Sequence, residues 1–169
     1  GTGGVDDADF SVAVNGSTYI ESACLGYSLI FNVFDPVTFK PWKIVDASGN
    51  NLYLSGSVSA NCAPTRNYNV EFSTADAVSR YKMMQFMDSI PAGFYVFVRK
   101  IPGPNQGDNT YASDWEADTS LYGPNNSLYN RLVSAGFTTL DSFYSPRAFA
   151  FVYKKADLSF LPQSKMTLG

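Results

Sequence analysis

The sequence predicts an α+β fold: a compact β-sandwich of mostly antiparallel sheets, flanked by two or three short helices. Apolar runs of strand length, such as Ser28–Phe34 and residues 94–98, alternate with turn residues. Met83, Phe86 and Ile90 recur instead at helical spacing, so a helix separates two of these runs. The order of strands, helix, strand, helix and strand predicts short helices around one sheet system.

The 169 residues are enough for one domain with its own hydrophobic core. We expect that domain to span residues 10–160 and to be monomeric. Residues 1–9 begin with Gly-Thr-Gly-Gly and no Met, which predicts a tag or linker. Residues 161–169 (LPQSKMTLG) predict the start of a linker to a next domain. We therefore interpret the chain as a piece of a longer protein.

The composition favours an exported protein and excludes two classes of partner. Charged residues make up 16% of the chain, where a soluble domain has about 25%, and Ser, Thr, Asn and Gly supply the polar surface instead. The net charge of −3 argues against nucleic-acid binding, which needs a basic face. No apolar run reaches the roughly 18 residues of a membrane span, so membrane insertion is not expected.

The N-terminal part predicts a β-hairpin. Residues 10–14 alternate between apolar and polar side chains, and residues 18–21 form a second short run. The Asn15-Gly16 pair between them favours a type I′ turn, because both residues tolerate a positive φ.

Two further strands follow this hairpin. Ser28–Phe34 is almost wholly apolar, which predicts a central strand that is buried on both faces. Residues 39–45 predict a second strand. Pro41 lies within it and cannot donate a backbone hydrogen bond, so an edge position or a bulge is expected.

A capped helix comes next. Ser73 or Thr74 is predicted to be its N-cap, with Asp76 in the first turn, where a carboxylate complements the helix dipole. Pro91 ends the helix because it has no amide hydrogen and restricts the residue before it. Residues 94–98 then form a core strand.

The C-terminal half begins with an irregular segment. Residues 102–126 are rich in Gly, Pro and Asn and predict a long loop, which in a small domain is usually functional or mobile. Residues 127–135 predict a short helix that Ser127 caps and Gly136 ends. Residues 148–155 predict the last strand, which ends in two lysines.

Two cysteines and no histidine limit the chemistry that is available. Cys24 and Cys62 cannot form a zinc site by themselves, and a Cys-His nucleophile is excluded. In an exported chain the two cysteines are a disulfide candidate, and such a bridge would contribute about 4 kcal/mol. Two buried free thiols are the alternative.

Six segments, taken in order, resemble a known family. They are FDPVTF at 34–39, FSTADAV at 72–78, FMDSIPAG at 86–93, YVFV at 95–98, LVSAG at 132–136 and AFVYKK at 150–155. In this order they are similar to the interleukin-like EMT inducer, or PANDER-like, domain. The resemblance covers roughly residues 28–155.

The resemblance implies a sandwich of two antiparallel sheets with short helices and no catalysis within the domain. Members of this family include cytokine-like secreted proteins and a sugar-binding stem of a glycosyltransferase. The chain is also similar to segments of large exported proteins of Bacteroidetes-type bacteria, some of which carry a gingipain-like peptidase domain. The family often has a glycine after its final lysine, where this chain has Ala156. No binding role of any single residue is transferred.

The irregular segment offers a candidate sugar site. Tyr111, Trp115 and Tyr122 can pack flat faces on a sugar ring, while Asp114 bonds its hydroxyls. The alternative is that these rings attach the segment to the body of the domain.

The same segment carries four carboxylates, on Asp108, Asp114, Glu116 and Asp118, which are hard oxygen ligands suited to calcium. Their spacing does not match a calcium-binding helix–loop–helix, so a solvated loop is the alternative. A hydrolase built on these carboxylates has no supporting motif, because a glycosidase needs two carboxylates that face each other across a cleft.

We therefore expect a non-catalytic, cofactor-free binding module of a larger exported bacterial protein, outside the cell or on its surface. Carbohydrate is the expected ligand class. The alternative is a structural domain that spaces or presents a neighbouring, peptidase-like domain.

Overall fold

Five antiparallel strands form the main sheet of the protein. A computed structural model describes residues 13–19, 28–50, 52, 67–100 and 110–167. Across the sheet the strand order is β4-β3-β5-β6-β7, and a separate hairpin pairs β1 with β2. The strands are β1 Ala13–Val14, β2 Ser17–Thr18, β3 Ser28–Phe34, β4 Val70–Ser73, β5 Tyr95–Lys100, β6 Phe149–Lys154 and β7 Gln163–Met166.

Short helices connect the strands. They are α1 Ala77–Ser89, α2 Ala112–Ala117, α3 Thr119–Tyr122, α4 Leu128–Ser134 and a 3₁₀ helix, Leu140–Ser142. Antiparallel sheets flanked by short helices make the fold α+β, as the sequence predicts. No helix among these described residues is long and apolar enough to cross a bilayer.

The core lies between one face of the main sheet and the helices. Alternate residues of the strands point to this face, among them Val96 and Val98 of β5 and Phe151 of β6. They pack against Met83 and Phe86 of α1 and against the other buried helix residues. The apolar stripe predicted for α1 is therefore confirmed.

The opposite face of β3 and β5 buries a polar cluster that the sequence analysis missed. Asn32 donates from Nδ2 to Asn69 Oδ1 at 2.9 Å, and Arg99 Nη2 donates to the same oxygen at 3.1 Å. Asn69 Nδ2 lies 3.4 Å from Glu71 Oε1. All four side chains are fully buried. β3 is thus buried on both faces, as predicted, and one of these faces carries Asn32 and its polar partners.

Two turn predictions are confirmed by backbone angles. Asn15 and Gly16 have φ of +51° and +78°, as a type I′ turn requires. Ser127 caps α4 by accepting from the Asn130 amide at 3.2 Å, and Gly136 follows the helix with φ of +103°.

Residues 39–45 do not form the predicted strand. Pro41 and Val45 are isolated bridge residues, Pro41 opposite Phe34, and no strand is assigned over these described residues. Asp35 accepts from the amides of Val37 and Thr38 and so stabilises a turn. Phe39 then adopts a φ of +55°, which is incompatible with a strand. The prediction was wrong because the local turn outweighs the apolar pattern.

The N-cap of α1 is Asp76, not Ser73 or Thr74. The carboxylate of Asp76 accepts from the Ser79 amide at 2.8 Å. Ser73 is instead the last residue of β4, and Thr74 is buried, where its carbonyl accepts from Arg80 at 2.6 Å. The helix therefore begins two or three residues later than the sequence analysis predicted.

The predicted loop over residues 102–126 contains two helices, α2 and α3, in its described part. Tyr111 is the N-cap of α2, and its amide donates to Asp114 Oδ2 at 2.8 Å in a capping box. With six and four residues, these helices are too short to show a helical period in the sequence.

The sheet extends past residue 160, where the sequence analysis placed the end of the domain. Gln163–Met166 pair with β6 in register, with Met166 opposite Phe149. Gln163, Ser164 and Lys165 are exposed, so this edge strand lacks the apolar alternation by which a strand is recognised.

Candidate functional site

The predicted sugar-stacking ring of Trp115 lies in the core. Its side chain is 0% exposed and packs on Phe143, with 5.2 Å between the ring centroids. Its Nε1 donates to Thr110 Oγ1 at 3.3 Å. A ring without exposed surface has no face to offer a sugar, so Trp115 is a core residue.

The other predicted sugar-binding residues also make contacts within the protein. Tyr111 packs edge-on against Phe143, and Asp114 caps α2. Tyr122 stacks on Tyr81 with 4.5 Å between the ring centroids, and its hydroxyl donates to the Ala77 carbonyl at 3.0 Å. These contacts attach the segment to the body of the domain, which is the alternative interpretation of the rings.

The carboxylates predicted for calcium point to different partners. Asp118 is buried and accepts from Arg80 at 2.6 and 2.8 Å, while Glu116 is exposed. Asp108, Cys24 and Cys62 lie outside the described residues. Within the described part of the chain, no three Asp, Glu, Cys or His side chains are grouped to hold a metal ion.

A pocket of about 400 Å³ opens where the ends of α1 and α4 meet the segment after β6. Met87 contributes from α1, Ser134 and Gly136 from the end of α4, and Phe160 and Pro162 from the segment that leads to β7. This volume is within the range of small-molecule sites. The pocket is concave and mostly apolar, with a few polar groups on its wall.

Gly136 determines how α4 meets the segment before β7. Its φ of +103° lies in the left-handed region, and a Cβ here would stand 2.6 Å from Pro162 Cγ. Both residues line the pocket. Only glycine therefore permits this close contact between the two walls.

Tyr153 lines the pocket and carries an unsatisfied hydroxyl. Its side chain is only 3% exposed, and the hydroxyl has no hydrogen-bond partner among the described residues. Burial raises the pKa of this hydroxyl well above its ordinary value, and the nearby Asp88 carboxylate adds to the effect. The group is therefore neutral at physiological pH and can both donate and accept a hydrogen bond.

Three cations line the same pocket, namely Arg131, Lys154 and Lys155. The Arg131 guanidinium donates to Asp88 at 3.0 and 3.1 Å. Lys154 Nζ lies 2.7 Å from Asp157 Oδ2. These two side chains have carboxylate partners.

Lys155 is held differently. Its Nζ donates to the backbone carbonyl of Met87, in the last turn of α1, at 2.8 Å. No carboxylate among the described residues lies within ion-pair distance of this ammonium.

The pocket wall contains a strained residue. Ala156 has φ of +54°, in the left-handed region that is costly for a residue with a Cβ. Residues held in such conformations concentrate at binding sites.

The sequence analysis did not find this pocket. It noted the two lysines at the end of β6 and the alanine after them, which are three of the lining residues. The remaining lining residues come from Tyr153 of β6, from α1, from α4 and its end, and from the segment before β7, and these elements are far apart in the sequence. Their proximity is a property of the tertiary structure.

Comparison of the chain with protein-family models and with curated proteins finds no match.

Proposed function

We propose that this chain is a non-catalytic binding module of a larger exported bacterial protein, and that its pocket binds carbohydrate. The observation that carries the proposal is the concave, mostly apolar pocket of about 400 Å³, which is lined by residues of several elements, among them Tyr153, whose buried hydroxyl has no partner among the described residues. A buried polar group without a partner costs free energy, which a ligand hydroxyl would recover.

The chemistry of the pocket suits a sugar. Sugars combine apolar C–H faces with hydroxyls that donate and accept. Met87, Phe160 and Pro162 are apolar residues of the wall, and Ser134 and Tyr153 are lining residues that carry hydroxyls. The candidate site therefore lies at the pocket and not on the rings of α2 and α3.

The resemblance to the interleukin-like EMT inducer domain supports the same proposal. The family often has glycine at the position of Ala156, and the positive φ of this residue is the conformation that favours glycine. The family includes sugar-binding and exported members, so we place the module outside the cell or on its surface.

The charges of the pocket support binding without catalysis. Asp157 is its only carboxylate from the described residues. The Lys154 ammonium and the Ser159 hydroxyl, which both bond this carboxylate, hold its pKa well below the ordinary value. Such a group stays ionised and is a poor general acid, and glycosidases use two carboxylates.

The test is a glycan array, followed by calorimetric titration of the best ligand into the wild type and Tyr153→Phe. The variant keeps the ring and removes the hydroxyl that would bond the sugar. Loss of one hydrogen bond of about 1.5 kcal/mol weakens binding roughly tenfold. Stability should not fall, because the removed hydroxyl has no partner in the free protein.

Tyr144→Phe is the matched control, because Tyr144 is exposed and lies outside the pocket. The affinity of Tyr144→Phe for the sugar should equal that of the wild type. An array without a saturable signal at millimolar glycan would reject the sugar ligand. A ligand that Tyr153→Phe binds as tightly as the wild type would place the site elsewhere.

The second candidate is a structural domain that presents a neighbouring, peptidase-like domain of the same parent protein. Val78 and Leu121 are 62% and 65% exposed, and Tyr81, one turn after Val78, stacks on Tyr122 beside them. Such apolar surface suits a domain contact. If the parent protein without this segment is secreted, folded and active as before, this candidate fails.

A further inference from the structure

We propose that the pocket selects an acidic sugar, such as a uronic acid, and that the Lys155 ammonium pairs with the sugar carboxylate. This inference rests on the proposed function and adds the charge of the ligand to it. It follows from the positions of Tyr153 and Lys155 and from the way in which the other charges of the pocket are paired.

Tyr153 and Lys155 present their side chains on the same side of the chain. They are two residues apart at the end of β6, and side chains alternate along a strand. Lys155 continues the strand pairing, because its amide donates to the Phe94 carbonyl at 2.9 Å and its carbonyl accepts from the Gly93 amide at 2.7 Å. Both residues line the pocket.

The Lys155 ammonium can donate further hydrogen bonds. An ammonium has three donors, and the Met87 carbonyl occupies one of them at 2.8 Å. Arg131 and Lys154 are neutralised by Asp88 and Asp157. Lys155 is therefore the pocket cation whose charge no described carboxylate balances.

A ligand carboxylate supplies the counter-charge that Lys155 lacks among the described residues. Its oxygens accept from the Lys155 ammonium, and a carboxylate offers about four lone-pair sites for this ammonium and other donors. A neutral sugar can accept a hydrogen bond from the ammonium but leaves it without a counter-charge. Hydrogen bonds to charged groups are roughly twice as strong as neutral ones.

The experiment compares two matched pairs of sugars, glucose with glucuronate and oligogalactose with oligogalacturonate, by titration at low salt. We expect the acidic member of each pair to bind about tenfold more tightly, and this preference to decrease with added salt. Lys155→Met should remove the preference for the acidic member of each pair, whereas Lys155→Arg should keep it.

Lys165→Gln is the control for surface charge, because Lys165 is exposed on β7 and does not line the pocket. It should bind both sugars like the wild type. Thermal unfolding of Lys155→Met checks that loss of the Met87 contact leaves the domain folded.

The outcomes separate the two proposals. Equal binding of both members of a pair overturns the acidic preference and leaves the sugar site standing. A preference that survives in folded Lys155→Met overturns the role of Lys155. If no sugar of either kind binds, the proposed function itself fails, and this inference fails with it.

Discussion

At the scale of single residues, Arg80 and Asp118 join α1 to the end of α2. The guanidinium and carboxylate form two hydrogen bonds, of 2.6 and 2.8 Å, and both residues are nearly fully buried. Arg80 also donates to the Thr74 carbonyl. The net stabilisation by a buried ion pair can be small, but removal of one partner leaves the other charge buried and uncompensated.

We predict that Asp118→Asn lowers the free energy of unfolding by about 3–5 kcal/mol, because it leaves a buried guanidinium without its counter-charge. Urea denaturation measures the change. Asp88→Asn is the matched control: its pair with Arg131 is much more exposed, so the expected loss is about 1 kcal/mol or less. Equal losses in the two variants would contradict this interpretation.

Tyr129 gives the domain a pH dependence on the alkaline side. Its hydroxyl donates to Asp141 at 2.6 Å, and this bond, aided by partial burial, raises the pKa of Tyr129 from 10.0 to about 12. The unfolded state therefore loses this proton at a lower pH than the folded state. The stabilisation is complete below pH 10 and is lost as the pH rises to about 12.

Thermal unfolding of wild type and Tyr129→Phe across this range tests the assignment. The wild type should be the more stable protein below pH 10, and the difference should shrink as the pH approaches 12. Subtracting the stability of Tyr129→Phe from that of the wild type at each pH removes the contributions of the other tyrosines. A difference that stays constant over the whole range would show that Asp141 does not hold the proton on Tyr129.

At the scale of elements, the junction after α4 decides the shape of the pocket. Ala135 ends the helix, Gly136 turns the chain at a positive φ, and Pro162 packs directly against the place that a side chain would occupy. The approach of these two segments forms one wall of the pocket.

We predict that Gly136→Ala lowers the free energy of unfolding for two separate reasons. The positive φ costs an alanine about 1–2 kcal/mol, and the overlap with Pro162 adds roughly 1–3 kcal/mol. Gly93→Ala has the same strain at φ of +87° but an empty space around its Cβ, so only the first cost applies. Urea denaturation of both variants measures the difference.

Replacing Pro162 by alanine should restore part of the loss in Gly136→Ala and none in Gly93→Ala, because only Gly136 contacts Pro162. Additive effects of Gly136→Ala and Pro162→Ala would disprove the contact.

At the scale of the whole molecule, we expect the free energy of local opening to differ between the central and the edge strands of the main sheet. β3 pairs with both β4 and β5, and β5 pairs with both β3 and β6. β7 pairs with β6 at the edge, and its side chains are mostly exposed. Strands with two paired edges and buried faces open only when the domain unfolds, whereas an edge strand opens locally.

Hydrogen exchange of the native protein should follow this gradient. We expect amides of β3 and β5 to exchange at the rate of global unfolding, and amides of β7 to exchange much faster. Met166 packs on the core, so the amides at its end of β7 should exchange more slowly than those at the other end. Protection of β7 equal to that of β5 would show that the two strands unfold together.

Local patterns were sufficient for much of the fold. The hairpin turn at Asn15-Gly16, the central strand β3, the apolar stripe of α1 and the cap at Ser127 each depend on residues close together in the sequence. Two errors also have local causes. The turn at Asp35 competes with a strand over residues 39–45, and β7 is too exposed to show alternation.

Local sequence patterns could not predict the candidate site. An exposed tryptophan and a buried one look the same in the sequence, and only the packing on Phe143 shows that Trp115 is core. Likewise, the sequence predicted Tyr153 as part of a strand. That its hydroxyl is buried without a partner is visible only in the folded chain, where residues of α1 and α4 line the same pocket.

The sequence by itself determined the α+β class, the central strand β3, the apolar stripe of α1, and the turns at Gly16 and Gly136. These follow from backbone sterics and from the burial of apolar side chains, which act over a few residues. The tertiary structure alone decided which rings are core, which carboxylates are paired, and where a pocket forms. Those features depend on contacts between residues distant along the chain, such as Arg80 with Asp118 and Gly136 with Pro162.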